Sequence, residues 1–157
     1  MPLFRDERRV RHNAVQMFDL VADVERYPEF VPLCKALKVR SRRVDDDARE
    51  TLVAGMTVGY KLIRETFTSR VTLDKPGLKV RVEYIDGPFS RLENIWTFKD
   101  EPEGLGSRVN FFIDYEFKSR TLGLLMGSMF DAAFRKFAGA FEQRADVVYG
   151  RSQAREV

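Results

Sequence analysis

The chain is poor in the residues from which most catalytic and metal sites are built. Its 157 residues include one cysteine, Cys34, and one histidine, His12. A single cysteine excludes an internal disulfide and most cysteine-based metal sites. Cys34 lies among apolar residues with no base clustered nearby, so it reads as a buried structural thiol. A single histidine removes the usual general base from most of the chain, and His12 has no companions at ligand spacing. No apolar run approaches the ~20 residues of a membrane span. The segment Met1 to Arg9 lacks the apolar core of a secretory signal, and its acids argue against a transit peptide, so a cytoplasmic protein is expected. Charge of one sign is also scarce: 27 basic against 24 acidic side chains leave a net +3, too little to point to nucleic acid, and DNA is not an expected partner. The strongest basic cluster, Arg40, Arg42 and Arg43, is followed at once by Asp45, Asp46 and Asp47. It neutralises itself and reads as a solvated hairpin end.

What the chain has is patterned apolar surface. Hydrophobic residues make up 44% and charged residues 32% of it, the balance of an ordinary globular protein. The length suits one domain over residues 1–157, with roughly 70% of the unfolded surface buried. The clearest pattern runs from 107 to 150. Val109, Phe111, Ile113, Tyr115 and Phe117 share one face of a strand; Arg108, Asn110, Asp114 and Glu116 share the other, with Phe112 the only apolar intruder. Ser119 can then cap a helix that runs to a stop at Gly150. Leu122, Met126, Met129, Ala133, Phe137 and Ala140 recur along it at helical spacing. Leu124, Phe130, Phe134 and Phe141 widen the stripe beyond a two-position seam.

Upstream, a charged first strand is expected over Phe4 to Arg11, as an edge or half-exposed strand. Asn13 with Gln16 makes a capping box for a short helix that stops before Tyr27-Pro28. Residues 27–34 hold two prolines and form neither regular helix nor central strand, yet carry many large apolar groups. Five alternating runs follow, beginning near Leu37, Leu52, Ile63, Leu78 and Leu92. Turn signals at Lys75-Pro76-Gly77, Asp86-Gly87-Pro88 and Glu101-Pro102-Glu103-Gly104 separate most of them. The break near Gly59 is weak. Short turns between successive strands imply an antiparallel meander. Its apolar face needs a cover, and only the C-terminal helix is long enough. The pattern predicts an α+β helix-grip fold: a curved antiparallel sheet of about seven strands around one long helix, with one or two short helices after strand 1. Gly55 and Gly59 are candidate bends.

Three stretches then carry a resemblance: residues 24–34 (Val24 to Cys34, with Tyr27-Pro28-Glu29-Phe30-Val31-Pro32), residues 63–71, and residues 86–98 (Gly87-Pro88-Phe89, Leu92, Trp96 and Phe98). They resemble the coenzyme Q-binding START-domain family of the START/polyketide-cyclase superfamily, whose bacterial members are also described as ribosome-association toxins. The similarity extends in order over nearly the whole chain. It implies a START-like fold with a cavity for ubiquinone or a similar isoprenoid quinone, no required cofactor, no catalytic signature, and support of cellular respiration.

The inward row of the sheet is expected to be Met56, Phe67, Val82, Tyr84, Trp96, Phe111 and Tyr115; alternation alone makes them core, and the resemblance moves them toward a ligand cavity. Met126 and Met129 suit an adaptable wall on the helix. Phe30, Val31, Pro32 and Leu33 are expected as a lid, with Phe89 opposite, against the alternative of a plug beneath a loop. Glu65 and Asn94 are polar entries on apolar faces and need partners: either a quinone head group or each other, Tyr84 or an arginine. Three functions stand in order: a noncovalent lipid carrier, a ribosome-binding interaction protein, and an enzyme of cyclase or dehydratase type using Glu65. A quinone carrier must visit a membrane, and Lys118, Arg120, Arg135 and Lys136 flank the Leu122–Phe130 stretch as a candidate contact with anionic headgroups at the inner face of the cytoplasmic membrane.

Overall fold

The computed structural model describes residues 3–46 and 48–150. Asp47, the last acid of the self-neutralising run, and the first two residues of the N-terminal segment lie outside the described residues. Seven strands form one antiparallel sheet in the order β1-β7-β6-β5-β4-β3-β2. They are β1 (Leu3–Val10), β2 (Cys34–Asp46), β3 (Arg49–Tyr60), β4 (Ile63–Asp74), β5 (Lys79–Asp86), β6 (Phe89–Asp100) and β7 (Ser107–Phe117). Helix α1 (Ala14–Ala22) and a 3-10 segment (Val24–Glu29) connect β1 to β2, and the 30-residue helix α2 (Arg120–Tyr149) follows β7. This is the helix-grip arrangement.

Local chemistry accounts for the elements. The Asn13 side chain accepts from the Gln16 N–H while the Gln16 side chain accepts from the Asn13 N–H, so both orphan donors at the start of α1 are satisfied. Ser119 caps α2 by accepting from Leu122 N–H at 3.1 Å, and Gly150 ends it at φ +82°. Tyr27-Pro28 sits inside the 3-10 segment, which tolerates proline where an α-helix interior would not. Along β7, Val109, Phe111, Ile113 and Tyr115 are all buried. The outward Phe112 is explained by its cross-strand partner: Arg5 pairs with it in register and lays its guanidinium 4.5 Å from the ring centre.

β2 slips register against β3 between Cys34 and Ala36, between Val39 and Ser41, and between Val44 and Asp46, irregularities of the kind that bend and twist a strand. Further shifts occur opposite Thr68–Ser69 of β4 and between Phe89 and Arg91 of β6, and none occurs between β3 and β4 at Gly55 or Gly59. The β3–β4 turn at Tyr60–Ile63 is tight, with Lys61 at φ +56°.

Long-range ties join β1, α1 and the residues between them to β7 and α2. β1 pairs with β7 from Leu3–Asp114 to Val10–Ser107. Beside them, His12 is buried and its Nε2 lies 2.8 Å from Asp146 Oδ1 on α2, while Tyr149 donates its hydroxyl to the Gln16 carbonyl at 3.0 Å. His12 is thus a structural link, and no group of three or more potential metal ligands occurs among the described residues.

Candidate functional site: an apolar cleft under the long helix

Between α2 and the concave face lies a cleft of about 810 Å³ counted with its open mouth, of which about 70 Å³ admits the centre of a water-sized sphere. The first figure includes open solvent at the mouth, and the enclosed space is far smaller than an ordinary small-molecule site. The second, at roughly 10–15 Å³ per water centre, is space for only a handful of waters, so a bulky guest must displace side chains.

Five residues of α2 form its roof: Phe130, Ala133, Phe134, Phe137 and Phe141. Their three- and four-residue steps put them on one helical line. The floor comes from alternate residues of five successive strands: Ala54, Met56 and Val58; Phe67, Ser69 and Val71; Val82; Leu92, Asn94 and Trp96; and Ile113. Leu37 of β2 closes the far wall, and Val24, Tyr27, Pro32 and Leu33 close the side toward the 3-10 segment.

Besides the indole N–H of Trp96, three side chains of this lining carry polar atoms. The Tyr27 hydroxyl donates to the Val21 carbonyl, and burial raises its phenol well above the ordinary range. Asn94 donates from Nδ2 to the Phe112 carbonyl at 2.8 Å. Ser69, 5% exposed, is the third. None of the lining residues is Asp, Glu, His, Cys or Lys.

Of the expected cavity residues, Met56, Phe67, Val82, Asn94 and Trp96 line the cleft, and so do Pro32 and Leu33 of the expected lid. The others stand elsewhere. Glu65 is on the Phe67 face of β4 but nearer the β3–β4 turn, half-buried at the rim, and it does not meet Asn94, whose amide is held by its own sheet. Tyr84 accepts a hydrogen bond from Phe89 N–H at 3.1 Å. Phe111 is packed between Phe4, Trp96 and Phe137. Tyr115 is buried among Phe89, Phe117, Phe130 and Phe134. Its hydroxyl has no partner among the described residues, and burial, with a smaller contribution from Asp131, pushes it up to about 12.

Met126 is fully buried and Met129 partly so, but both precede the roof residues on α2 and neither borders the cleft. Val31 is buried core, and Phe30 is half-buried, edge-on to Phe141 at 4.9 Å with Arg144 over its other side. Phe89 is the plainest correction. It is wholly buried at the centre of a ring cluster with Phe67, Tyr84, Tyr115, Phe117 and Phe130, because the β5–β6 turn folds it inward. Leu33 is held at φ +66°, a costly conformation for a branched residue, at the edge of the cleft. Cys34, beside it, is buried, and desolvation lifts its thiol to about 11.

Residues that the sequence reading did not single out include Ser69, Leu92 and Ile113 on the floor and Phe134, Phe137 and Phe141 on the roof. Each was on an apolar stripe already visible; what was missing was where along the stripe the helix stands away from the sheet.

Comparison with known proteins places this geometry. The family described as polyketide cyclase / dehydrase and lipid transport matches residues 10–142. A ribosome association toxin RatA of Vibrio cholerae is 35% identical over 141 residues, covering 90% of this chain and 93% of that one. A mitochondrial coenzyme Q-binding protein COQ10 homolog B of Xenopus laevis is 33% identical over 144 residues, covering 88% of this chain and 55% of the longer relative. The solution structure of the 18 kDa protein CC1736 from Caulobacter crescentus superposes with a TM-score of 0.76 at 37% identity, covering 96% of this chain and 99% of that one. The chain therefore belongs to the polyketide cyclase / dehydrase and lipid transport family.

Proposed function

We propose that the protein binds ubiquinone or a similar isoprenoid quinone noncovalently in the cleft and carries it, without turnover, in support of respiratory electron transport. One observation carries this reading: the lining is almost wholly apolar, its roof is aromatic, and none of the lining residues is Asp, Glu, His, Cys or Lys. Such a surface favours an apolar guest and offers nothing to move protons. Asn94 and Ser69 are the polar points to which a carbonyl-bearing head group can orient. Burying about two prenyl units, roughly ten carbons at ~0.8 kcal/mol each, contributes up to ~8 kcal/mol. Association costs at least ~4 kcal/mol, so affinity is moderate and rises with tail length. The coenzyme Q-binding name of the Xenopus relative agrees with this choice of guest.

The test is mass spectrometry of organic extracts from protein purified out of a respiring host. Near-stoichiometric quinone is expected. Repeated preparations without any lipid, together with no quinone uptake in vitro, overturn the reading.

The second reading is a ribosome-binding interaction protein, favoured by the name of the Vibrio relative. It separates cleanly by salt: ribosome binding driven by phosphate contacts falls steeply with ionic strength, whereas uptake of a neutral guest into an apolar cleft barely responds.

A further inference from the structure

The antiparallel meander gathers one end of the sheet into a rim. The loop before β2, the β3–β4 turn, the β5–β6 turn and the junction from β7 to α2 all lie there, and adjacent pieces are joined. Gly59 N–H donates to the Leu33 carbonyl at 3.0 Å. Asp86 at the end of β5 pairs with Thr68 of β4, and Gly87 packs so closely on Phe67 that a Cβ there would meet it at 2.6 Å. Lys118 N–H donates to the Pro88 carbonyl at 2.9 Å. Pro32 and Leu33 of this rim also border the cleft.

The rim projects apolar side chains into solvent. Leu62, at the tip of the β3–β4 turn, is 100% exposed, and Leu124 on the first turns of α2 is 80% exposed; Tyr60, Ile85 and Leu125 are exposed beside them. Around them stand Lys35, Lys61, Arg64, Lys118 and Arg120, all exposed. None of these five is in an ion pair among the described residues. Most arginines elsewhere are in ion pairs, including Arg42, Arg49, Arg81 and Arg91, with Arg5, Arg11, Arg40 and Arg70 the exceptions among the described residues. The acids of the rim are Asp86 and Glu65, with Glu116 held by Arg91. Arg135, expected from sequence to join this surface, is drawn away by Asp131 and the Phe4 ring.

We infer that this rim is a docking face for an anionic lipid bilayer, with Leu62 and Leu124 as the inserted tips and the five basic residues at headgroup level. Aliphatic tips ringed by cations match an interface whose outside is anionic and whose inside is hydrocarbon. Nucleic acid would also meet the charge, but the most exposed tips are leucines, and Tyr60 alone among the exposed apolar residues of the rim offers a ring for stacking bases. The purpose of the surface, delivering a guest through the Pro32–Leu33 edge, rests on the lipid-cleft reading; the surface itself does not.

The experiment is cosedimentation of the full chain with vesicles of phosphatidylcholine alone and of phosphatidylcholine with one third phosphatidylglycerol. Uptake of a short-tailed quinone added without vesicles is measured in parallel. Binding to the anionic vesicles is expected, weakened but not abolished by salt. Leu62→Asp and Leu124→Asp are each expected to weaken it by roughly tenfold or more, since each removes a leucine from hydrocarbon. Quinone uptake without vesicles should stay unchanged in both variants, which also shows that they fold. Wild-type protein that ignores anionic vesicles, or variants that bind them as well as wild type, overturn the docking face whatever the quinone assay shows. Salt-sensitive binding to ribosomes without binding to vesicles overturns it in favour of RNA. Leucine-dependent vesicle binding with no quinone uptake supports the face and overturns the cleft reading instead.

Discussion

Filling the cleft from its roof is the sharpest test of whether the space under α2 is a site. Ala133 is 6% exposed and faces the cleft between Phe130 and Phe137 on the helix. Ala133→Leu adds three carbons to that position at little cost in helix propensity. If they enter open space, their burial at ~0.8 kcal/mol each stabilises the fold by up to ~2.4 kcal/mol, which raises Tm by about 5–10 °C in a domain of this size. The same three carbons occupy volume that a guest would otherwise use, so quinone affinity should fall by a comparable free energy, about fiftyfold. Calorimetry and quinone titration on one preparation read both effects. A variant destabilised by ~1–3 kcal/mol would show that the position is overpacked and the space absent. A stabilised variant with undiminished affinity would show that the guest sits elsewhere. Either result refutes the reasoning.

Phe89→Ala is expected to cost ~3–5 kcal/mol in urea denaturation, since it empties the centre of the ring cluster. Phe30→Ala, half-exposed, should cost clearly less while changing the rate of quinone transfer between vesicles; an equal cost with unaltered transfer makes Phe30 core. Met126→Asp places an unpartnered charge on a wholly buried position and should unfold the domain rather than merely empty the cleft, which circular dichroism decides. The raised thiol of Cys34 and phenol of Tyr115 give an alkaline signature. A group held protonated in the folded state contributes stability that is complete below its unfolded value and lost as pH rises through the folded one. Stability should therefore be level up to about pH 9 and decline through pH 11–12, and Cys34 should react with a thiol reagent at pH 8 no faster than the fold opens.

The order of elements was legible because alternation and capping are local. Asn13 with Gln16 and the five-residue row from Val109 to Phe117 each announce an element without reference to the rest. The cleft was legible only as a set of faces. Phe111, Ile113 and Tyr115 are equivalent in a period of two, yet only Ile113 borders open space; the other two are covered by Phe137 and by Phe130 and Phe134. Which residue of a row is wall and which is core depends on how far α2 stands off the curled sheet, and no local pattern encodes that distance. Met126 and Phe130 are one turn apart on the same stripe, and only the second reaches the cleft. Asn94 was correctly seen as a polar residue needing a partner, but the partner is a backbone carbonyl on the neighbouring strand, a contact that strand register alone decides. Phe89 was misplaced because a glycine-proline turn signals only that the chain reverses, not which way the next ring points.

The pairing of β1 with β7 also has a consequence for how the chain is made. Val10 and Ser107 are cross-strand partners, so β1, made before the other strands of this sheet, waits for about a hundred further residues before it finds its place, a separation that slows closure. During that interval the strands from β2 to β6 can zip as successive hairpins, but the concave face that Trp96, Phe98 and Leu52 present has no α2 to lie against. The nascent sheet is thus a greasy, half-finished trough until synthesis passes Tyr149. That is a stage at which a holdase, or premature contact with another copy, competes directly with native completion.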